Sequence, residues 1–523
     1  MTAAAGATID DLFRRFGPSY RWLVTFTVMT GAIAMGFASS MVNVAVPSVM
    51  GAFGVGLDQA QWMATGFLAT MSTTMLLSSW LIEVLGQRIT FTIALFVFGT
   101  GCLISATAPN MDVVILGRVF QGAAAGVGQP LAMFSLFTVF PPERRGTALG
   151  IFGLVSVLAP TFGPILGGLA IDNISWRYLF FLPLPFCAPA LMLGLVFMPT
   201  KKLTKQLPPF DWIGLGLVGI ILFSLLSGFA NGPRWGWDSS AILLRLLGGA
   251  GALIVFILWE LRASYPFLDL TLFQNRQFSL TMVAGFVFGA GLYASSYFIP
   301  VFVQTIQHYS ATQAGLLLAS GGVVMMLFFP LAGRITDSVP AHIPIAVGLL
   351  IFSIGFFLIQ AVDVNTTFWV LVAYTSINRV GLSLSIPSLS AAALRAVPAH
   401  KLARGTSTST FIRNVGGGFG ITLLTAFFQH RTQFHGQAFA ATQTSANATT
   451  QELLGGIQGL LAASGIPETT QTVTALHYLS QVVLAQASTL GFKDTFLAIA
   501  VVSLLAVGPA WLIGRAKPPQ NRP

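Results

Sequence analysis

Long apolar stretches separated by short polar loops dominate this chain. Fourteen stretches of roughly 20 predominantly apolar residues can be drawn, and that length is enough for a helix to cross a hydrocarbon core of about 30 Å. Because no water satisfies backbone N–H and C=O groups inside a bilayer, each stretch is predicted to be a helix. The predicted spans are 22–42, 60–82, 89–108, 113–136, 147–170, 178–198, 211–230, 241–260, 279–302, 313–333, 343–361, 367–392, 405–429 and 495–514.

The composition supports a membrane protein. Hydrophobic residues make up 54% of the 523 residues and charged residues only 8%, against about 25% charged in an average soluble domain. So few charges could not cover the surface of a soluble fold of this size, and lipid is expected to cover it instead. The predicted fold class is therefore an all-α polytopic membrane protein.

Lysine and arginine are concentrated in alternate loops, which predicts the orientation. The basic-rich side is expected to be cytoplasmic, which places both termini inside, with residues 1–20 as a cytosolic tail before a retained first helix. The pI near 10.0 then reflects topology and attraction to anionic lipid, and nucleic acid is not an expected partner because the charges lie in separate short loops. The basic-rich side carries Arg14, Arg15, Arg21, Arg88, Arg144, Arg145, Lys201, Lys202, Lys205, Arg262, Arg276, Arg334, Arg395, Lys401, Arg404, Arg515, Lys517 and Arg522, and the other side Arg177, Arg234, Arg245, Arg431 and Lys493.

Two polar segments interrupt the series of spans. Residues 199–210 form a basic, proline-containing linker after the sixth span, which is typical of a domain boundary. Residues 430–494 form a long external segment rich in Gln, Thr, Ala and Ser, with helix-compatible stretches around 449–463 and 470–490. This segment is either a tolerated loop or a docking surface for another protein.

A parallel internal repeat predicts two bundles. The second span ends with Glu83 followed by Arg88, and the tenth ends with Arg334 and Asp337, so an acidic and a basic residue close matching helix ends. Two six-helix bundles related about the membrane normal are typical of many secondary transporters. The predicted organisation is a tail (1–20), an N-terminal bundle (21–198), the linker with two inserted helices (199–262), a C-terminal bundle (263–515) and a second tail (516–523).

Three short sequences resemble motifs of the major facilitator superfamily. They are NVAVP at 43–47, RVFQG at 118–122 and GPILGG at 163–168. More narrowly, the chain is similar over roughly 20–515 to the fourteen-helix drug–proton antiporter branch, whose multidrug exporters share the sequence WELR found here at 259–262. The resemblance implies a multidrug exporter of the bacterial inner membrane, and the 430–494 segment resembles that of exporters paired with a periplasmic membrane-fusion adaptor.

The resemblance assigns roles to two groups of residues. In the fifth span, small residues allow helices to approach closely and proline removes ladder hydrogen bonds, so Gly163, Pro164, Gly167 and Gly168 are the predicted hinge of the antiporter motif. At the cytoplasmic helix ends, Glu83 with Arg88 and Asp337 with Arg334 are the predicted latches that hold that side shut. The Glu83 motif departs from the family pattern, because its usual glycine is Ser79 and its following arginine is Val84.

Charged residues inside spans are candidates for coupling. A buried membrane charge costs about 2.5 kcal/mol or more unless it meets a cavity or a partner. Arg118 occupies the position of the family's proton-relay arginine, while Arg379 could face the cavity of the second bundle and Arg413 could be structural. The acid usual in the first span of the family is replaced by Ala38, so Asp172, at the external end of the fifth span, is the remaining proton-coupling candidate, with an ion pair to Arg177 as the alternative.

The expected substrate cavity is lined by aromatic residues and has few polar groups. Such walls suit bulky hydrophobic or amphipathic compounds, and without an intramembrane acid they favour neutral or anionic compounds, such as fatty-acid-like ones, over cations. The candidate lining residues are Asn43, Trp62, Phe67, Gln129, Phe134, Tyr293, Tyr297, Gln304, Asn378 and Arg379.

The predicted function is secondary active export by alternating access, with protons entering as the compound leaves. No phosphate-binding loop of the Walker type is present in the sequence, so ATP is not expected as the direct energy source, and no cofactor or metal is expected. The alternatives are a membrane-embedded lipid-modifying enzyme, which would need clustered catalytic acids or histidines, a channel, and a facilitator-type lipid or metabolite exporter that is not coupled to protons.

Overall fold

A computed structural model shows that the chain is built from α-helices. It describes residues 8–141, 145–201, 209–398 and 401–514. Short 3₁₀ turns also occur at Gly17–Ser19 and Leu270–Gln274. The helices are α1 (Ile9–Phe16), α2 (Tyr20–Phe53), α3 (Leu57–Ala60), α4 (Trp62–Ala106), α5 (Met111–Val139), α6 (Arg145–Asn173), α7 (Tyr178–Phe181), α8 (Leu184–Phe197), α9 (Trp212–Trp235), α10 (Ser240–Glu260), α11 (Arg276–Thr305), α12 (Ala311–Ser338), α13 (His342–Ile359), α14 (Phe368–Arg395), α15 (Leu402–Thr442), α16 (Ala448–Ala463), α17 (Glu468–Leu505) and α18 (Val507–Ile513).

The helices account for the predicted spans and confirm the all-helical fold. Within the described ranges, eleven helical stretches are long and apolar enough to cross a membrane, by length and composition. One of them contains two predicted spans, which meet at Gly86 in α4, where φ is +76° and the chain turns. Two further predicted spans lie in α6 and α14. Several predicted basic residues lie outside the described residues, namely Arg144, Lys202, Lys205, Arg515, Lys517 and Arg522, as does the tail at 516–523.

The first span is longer than the sequence pattern predicts. The sequence 43–47 was expected to follow the helix, but α2 continues through Pro47 to Phe53. A proline removes only one ladder hydrogen bond, and the apolar residues around it are buried. The prediction that Asn43 lies after the helix is therefore wrong, and Asn43 is a buried residue of α2.

The helices pack as two groups that meet along a central interface. In the first group α2 packs on α5, α6 and α8, and α4 pairs with α5; in the second, α11 packs on α15, and α13 pairs with α14. The groups meet where α6 packs on α12 and where α4 packs on α15. The α6–α12 contact is called the seam below.

The two inserted helices pair with each other beside this interface. α9 packs on α10 and also contacts α4 and α15, one helix from each group. Its apolar face, including Leu222 and Leu226, joins a cluster with Phe411 of α15. α10 is largely exposed along its outer face, which suits contact with lipid.

The segment 430–494 is folded. α15 continues well past its predicted span, α16 follows, and α17 leads back into the last span; we call residues 430–494 the helical extension. At its base, Asp494 accepts hydrogen bonds from Arg431 Nε at 2.6 Å and from His435 Nε2 at 2.7 Å. These polar side-chain contacts join α15 to α17 within the helical extension.

The predicted orientation can be tested on the helical extension. Gln437 is exposed, and both native cysteines, Cys102 and Cys187, are buried. In intact cells, a Gln437→Cys variant should react with a membrane-impermeant thiol reagent, and the unmodified protein should give little background. Labelling that occurs only in inverted vesicles would contradict the orientation.

Candidate functional site

The two ends of the helix assembly differ. One end, called the basic face, carries Arg88, Lys201, Lys401 and Arg404 and opens into a cavity of about 860 Å³. The cavity lies between α4, α5, α15 and the segments that flank the inserted helices, and its walls combine aromatic side chains with acids. Its lining includes Trp80, Glu83, Phe134, Phe210, Asp211, Phe267 and Asp269.

The predicted latch residues differ in exposure at the basic face. Glu83, Asp337 and Arg334 are exposed. Arg88 is buried and donates from Nε to the Met198 carbonyl at 2.7 Å. Of the residues that the structure describes, no ion pair joins Glu83 to Arg88 or Asp337 to Arg334. This arrangement fits a conformation that is open at the basic face, and the latches stay a prediction.

The opposite end, called the extension face because it carries the helical extension, is closed along the seam. A methyl group at Gly168 would lie only 2.5 Å from the Ala311 carbonyl oxygen and 2.6 Å from Thr312 Cα. One at Gly315 would lie 2.7 Å from the carbonyl carbon of Pro164. The two backbones approach this closely because both positions lack a side chain.

The antiporter motif faces three neighbouring helices. Gly163 faces α2, and Gly167 faces both α2 and α7, where a methyl group would lie 3.2 Å from Met41 Cβ and 2.8 Å from Leu179 Cδ1. Gly168 faces α12 of the other group. α6 itself runs as one continuous helix through Pro164, so the predicted hinge role rests on close packing. The glycine spacing therefore lets one helix lie tightly against both helix groups.

Asp172 joins the two groups at the extension face. Its carboxylate accepts backbone N–H groups from Ala311 at 3.1 Å and Thr312 at 2.7 Å. The first N–H groups of a helix have no intrahelical acceptor, and negative charge is favourable there. The structure therefore gives Asp172 a helix cap across the seam rather than the alternative ion pair with Arg177, whose guanidinium donates to the Ala108 carbonyl. A proton-coupling role for Asp172 stays a prediction.

Arg118 is buried at the centre of the first group, with 1% of its surface exposed. Its guanidinium donates to the carbonyl oxygens of Met63 at 2.8 Å and Ala38 at 2.9 Å and to Gln121 Oε1 at 2.5 Å. It also lies over the ring of Phe67, 4.3 Å from the centroid. The backbone carbonyl at Ala38 thus receives the hydrogen bond that a carboxylate at this position could accept.

Arg379, on α14, packs on α12 beside the seam. Only 6% of its surface is exposed, and a methyl group at Gly321 of α12 would lie 2.8 Å from Arg379 Cγ. The next residue, Gly322, faces Thr161 of α6. Across the described ranges, no hydrogen bond or ion pair holds this guanidinium. A buried cation without an anion is costly in a membrane protein.

The other predicted cavity residues are dispersed. Phe134 lines the basic-face cavity, while Gln129 is exposed and Trp62 packs near Phe223 of α9. Gln304 donates to the Val44 carbonyl across the two groups at 3.0 Å. Asn43, Phe67, Tyr297 and Asn378 are almost fully enclosed, and the half-buried Tyr293 donates from its hydroxyl to Asn414 Oδ1. Their role in substrate binding stays a prediction.

Asp269 shows how the loop after α10 is anchored to α15. Its carboxylate lies 2.9 Å from Lys401 Nζ and 3.4 Å from Arg404. Burial raises the pKa of Asp269, but hydrogen bonds from Thr271 and Lys401 outweigh burial and hold the pKa below its usual range. The carboxylate is therefore ionised at neutral pH, and this contact is lost only as the pH falls through the lowered pKa.

Sequence reasoning missed the contribution of α12 to the seam. Gly315 and Gly322 provide the contact surface for α6, but glycine is common in membrane helices and these two positions carry no other signal. The position of Asp211 next to Glu260 was also missed, although WELR at 259–262 was recognised as a family feature.

A sequence profile of the Major Facilitator Superfamily matches residues 28–211 and 212–421. Among curated proteins, the chain is 32% identical to the uncharacterized MFS-type transporter YcnB of Bacillus subtilis, over 80% of this chain and 89% of that one. It is 27% identical to the multidrug export protein EmrB of Haemophilus influenzae, with coverage of 95% and 96%. It is also 27% identical to the fatty acid resistance protein FarB of Neisseria gonorrhoeae, with coverage of 96% and 97%.

Solved structures share the fold. A bacterial homolog of the human lysosomal transporter Spinster, in an inward-facing and occupied conformation, aligns with a TM-score of 0.60, and covers 95% of this chain and 98% of that one. Its sequence is 15% identical, so this likeness concerns the fold alone.

Proposed function

The chain belongs to the major facilitator superfamily and is a multi-pass membrane transporter rather than an enzyme, and we propose that it exports amphipathic compounds with an acidic head group by alternating access. The observation that carries the proposal is the contrast between its two faces. The extension face is closed along the seam, while the basic face opens into a cavity of about 860 Å³, a volume within the range of small-molecule sites.

The direction of transport follows from the predicted orientation. With the basic face in the cytoplasm and both termini inside, the cavity is accessible to compounds from the cytoplasm or the inner leaflet. Opening of the seam would then release them outside. The names of the EmrB and FarB relatives, which refer to multidrug export and fatty acid resistance, support export from a bacterial inner membrane.

Arg379 supports the acidic head group. A carboxylate accepts charge-assisted hydrogen bonds from a guanidinium, and these are roughly twice as strong as neutral ones. Arg379 of α14 is buried against Gly321 of α12, which is next to the seam contact at Gly322. A substrate carboxylate at this position would satisfy the guanidinium, while its alkyl chain would meet apolar helix surfaces.

Proton coupling and an adaptor belong to the same proposal. A pH gradient is the expected driving force, with an uncoupled facilitator as the alternative, because Ala38 leaves Arg118 bound to a backbone carbonyl. The helical extension is the proposed docking surface for a periplasmic membrane-fusion adaptor, and it exposes apolar side chains for such a contact. They include Leu453, Leu460, Val473, Leu476 and Leu484.

The proposal can be tested in proteoliposomes that carry an imposed pH gradient. A medium-chain fatty acid, the alcohol of the same length and the corresponding alkylammonium would be compared. The acid should be transported in preference to the other two, and dissipating the gradient should abolish its uphill movement. Transport of the alkylammonium in preference to the acid would overturn the proposed substrate class. Transport whose rate and direction do not depend on the imposed pH gradient would favour a facilitator that is not coupled to protons.

Removing the charge at Arg379 gives a residue-specific prediction. In an Arg379→Gln variant, equilibrium binding of the fatty acid should weaken about tenfold or more, because one charge-assisted contact is worth about 1.5–3 kcal/mol. Binding of the alcohol should change little. Arg413→Gln is the matched control, since Arg413 is half-buried on α15. Equal losses for acid and alcohol would indicate a structural role for Arg379.

A further inference from the structure

Two carboxyl groups come together where the inserted helices meet the basic face. Asp211 precedes α9 and Glu260 ends α10, and their exposed fractions are 8% and 4%. Both point at Gly214, where an added methyl group would overlap Asp211 Oδ2 and lie 2.7 Å from Glu260 Oε1. Two acids are thus buried against the same small residue.

The partners of the two carboxyl groups are unequal. Asp211 accepts N–H groups from Gly214 at 2.8 Å and from the Trp259 indole at 2.9 Å, which suits an ionised carboxylate. Glu260 Oε2 accepts the Leu268 N–H at 3.3 Å. Glu260 Oε1 is buried and has no hydrogen-bond partner among the described residues, although it lies beside Asp211. A proton on Oε1, donated to Asp211, would supply the missing hydrogen bond.

No described cation neutralises this pair. Within the described part of the chain, no ion pair involves Asp211 or Glu260. The charged groups on the surrounding elements are exposed or hold other contacts. They are Glu83 and Lys201 at the cavity rim, Arg88 on the Met198 carbonyl, Arg262 in the exposed loop, and Asp269 with Lys401 and Arg404.

We propose that Asp211 and Glu260 share one proton and form a proton-binding site of the transporter. Two adjacent buried carboxylates cannot both be ionised without strong repulsion, and one bound proton leaves a single delocalised negative charge. This inference deepens the proposed function, because the pair supplies a titratable group to a chain that has Ala38 in its first span. Asp211 also lines the basic-face cavity, so the proton has a route to water.

The site is connected to the bundle interface through a short loop. Leu268, which donates to Glu260, precedes Asp269, which is paired with Lys401 and Arg404 near the start of α15. Loss of the proton would place a second negative charge beside Asp211 and displace Glu260 from this loop. The position of α15, which forms a wall of the cavity, would then depend on whether the proton is bound.

Infrared difference spectroscopy of the purified protein tests the site without any transport assay. A protonated carboxyl has a C=O stretch distinct from that of a carboxylate, and the unmodified protein should show such a band that disappears as the pH rises. Glu260→Gln should remove the band, whereas Glu83→Gln, at the exposed rim of the same cavity, should retain it. In Asp211→Asn the band should titrate away at a pH lower by about one unit, because the neighbouring charge is gone.

The outcomes separate this site from the export function. A band that survives in Glu260→Gln, or the absence of any titrating carboxyl in the unmodified protein, would overturn the proposed site and show Asp211 as a helix cap only. In proteoliposomes, Glu260→Gln should lose the dependence of uphill transport on the pH at the basic face and retain downhill exchange. If the unmodified protein moves no compound while the band behaves as expected, the proposed export function fails and the proton site stands.

Discussion

A single methyl group at the seam should slow the transport cycle. In a Gly168→Ala variant, the new Cβ would lie 2.5 Å from the Ala311 carbonyl oxygen and 2.6 Å from Thr312 Cα, both backbone atoms of α12 that cannot rotate away. Overpacking of this kind costs about 1–3 kcal/mol. The penalty falls only on the conformation closed at the extension face, so the equilibrium should shift towards the opposite state by about tenfold or more.

The shift can be measured from the reactivity of an introduced cysteine together with the rate of uphill export. A cysteine introduced near the seam should react faster from the extension face in Gly168→Ala than in its parent, and uphill export should fall in proportion. Gly153→Ala is the matched control on the same helix, because a methyl group at Gly153 meets nothing within 4 Å. Similar export by Gly168→Ala and Gly153→Ala would contradict the gate assigned to the seam.

Replacing Arg118 by lysine should have the second large effect. Lysine keeps the charge but lacks the planar guanidinium group, whose N–H groups donate to Met63, Ala38 and Gln121 at the same time. At least one of these contacts would be lost, at about 1.5–3 kcal/mol for a hydrogen bond to a charged group. Gradient-driven export should therefore fall at least tenfold, and equilibrium binding of substrate should fall less.

A comparison of gradient-driven export with downhill exchange distinguishes a coupling role of Arg118 from a structural one. A coupling role predicts a loss in gradient-driven export that exceeds the loss in downhill exchange. A structural role predicts that export, exchange and thermal stability fall together, because α2, α4 and α5 all meet at this guanidinium. Arg413→Lys serves as the control, since it makes the same exchange of charged groups at a half-buried position of α15.

The apolar pattern predicted most of the fold. Most of each predicted span is helical, because in a bilayer the backbone must satisfy its own hydrogen bonds. The sixth span is divided between α7 and α8, and the last between α17 and α18. The ends were predicted less well. α2 continues through Pro47, and α15 and α17 extend far beyond their predicted spans. An apolar stretch marks only the part of a helix that contacts lipid, and the backbone hydrogen bonds of the helix can continue into water.

The sequence predicted residue types better than their partners. The motif at 163–168 is identifiable from its sequence. Only the three-dimensional packing shows that Gly167 faces α2 and Gly168 faces α12. Asp172 was identified as an acid at a helix end, while its contact is the N-terminus of α12, 139 residues away along the chain. Local periodicity carries no information about which distant helix will lie opposite.

The all-helical class, the multi-pass membrane character and the family were therefore determined by the sequence alone, because they depend on local hydrophobicity and on motifs of a few adjacent residues. The closed seam, the open basic face, the burial of Arg379 against α12 and the Asp211–Glu260 pair were decided only by the tertiary structure. Each depends on side chains from elements that are distant in sequence and meet only when helices pack, since burial and hydrogen-bond satisfaction are properties of the assembled helices.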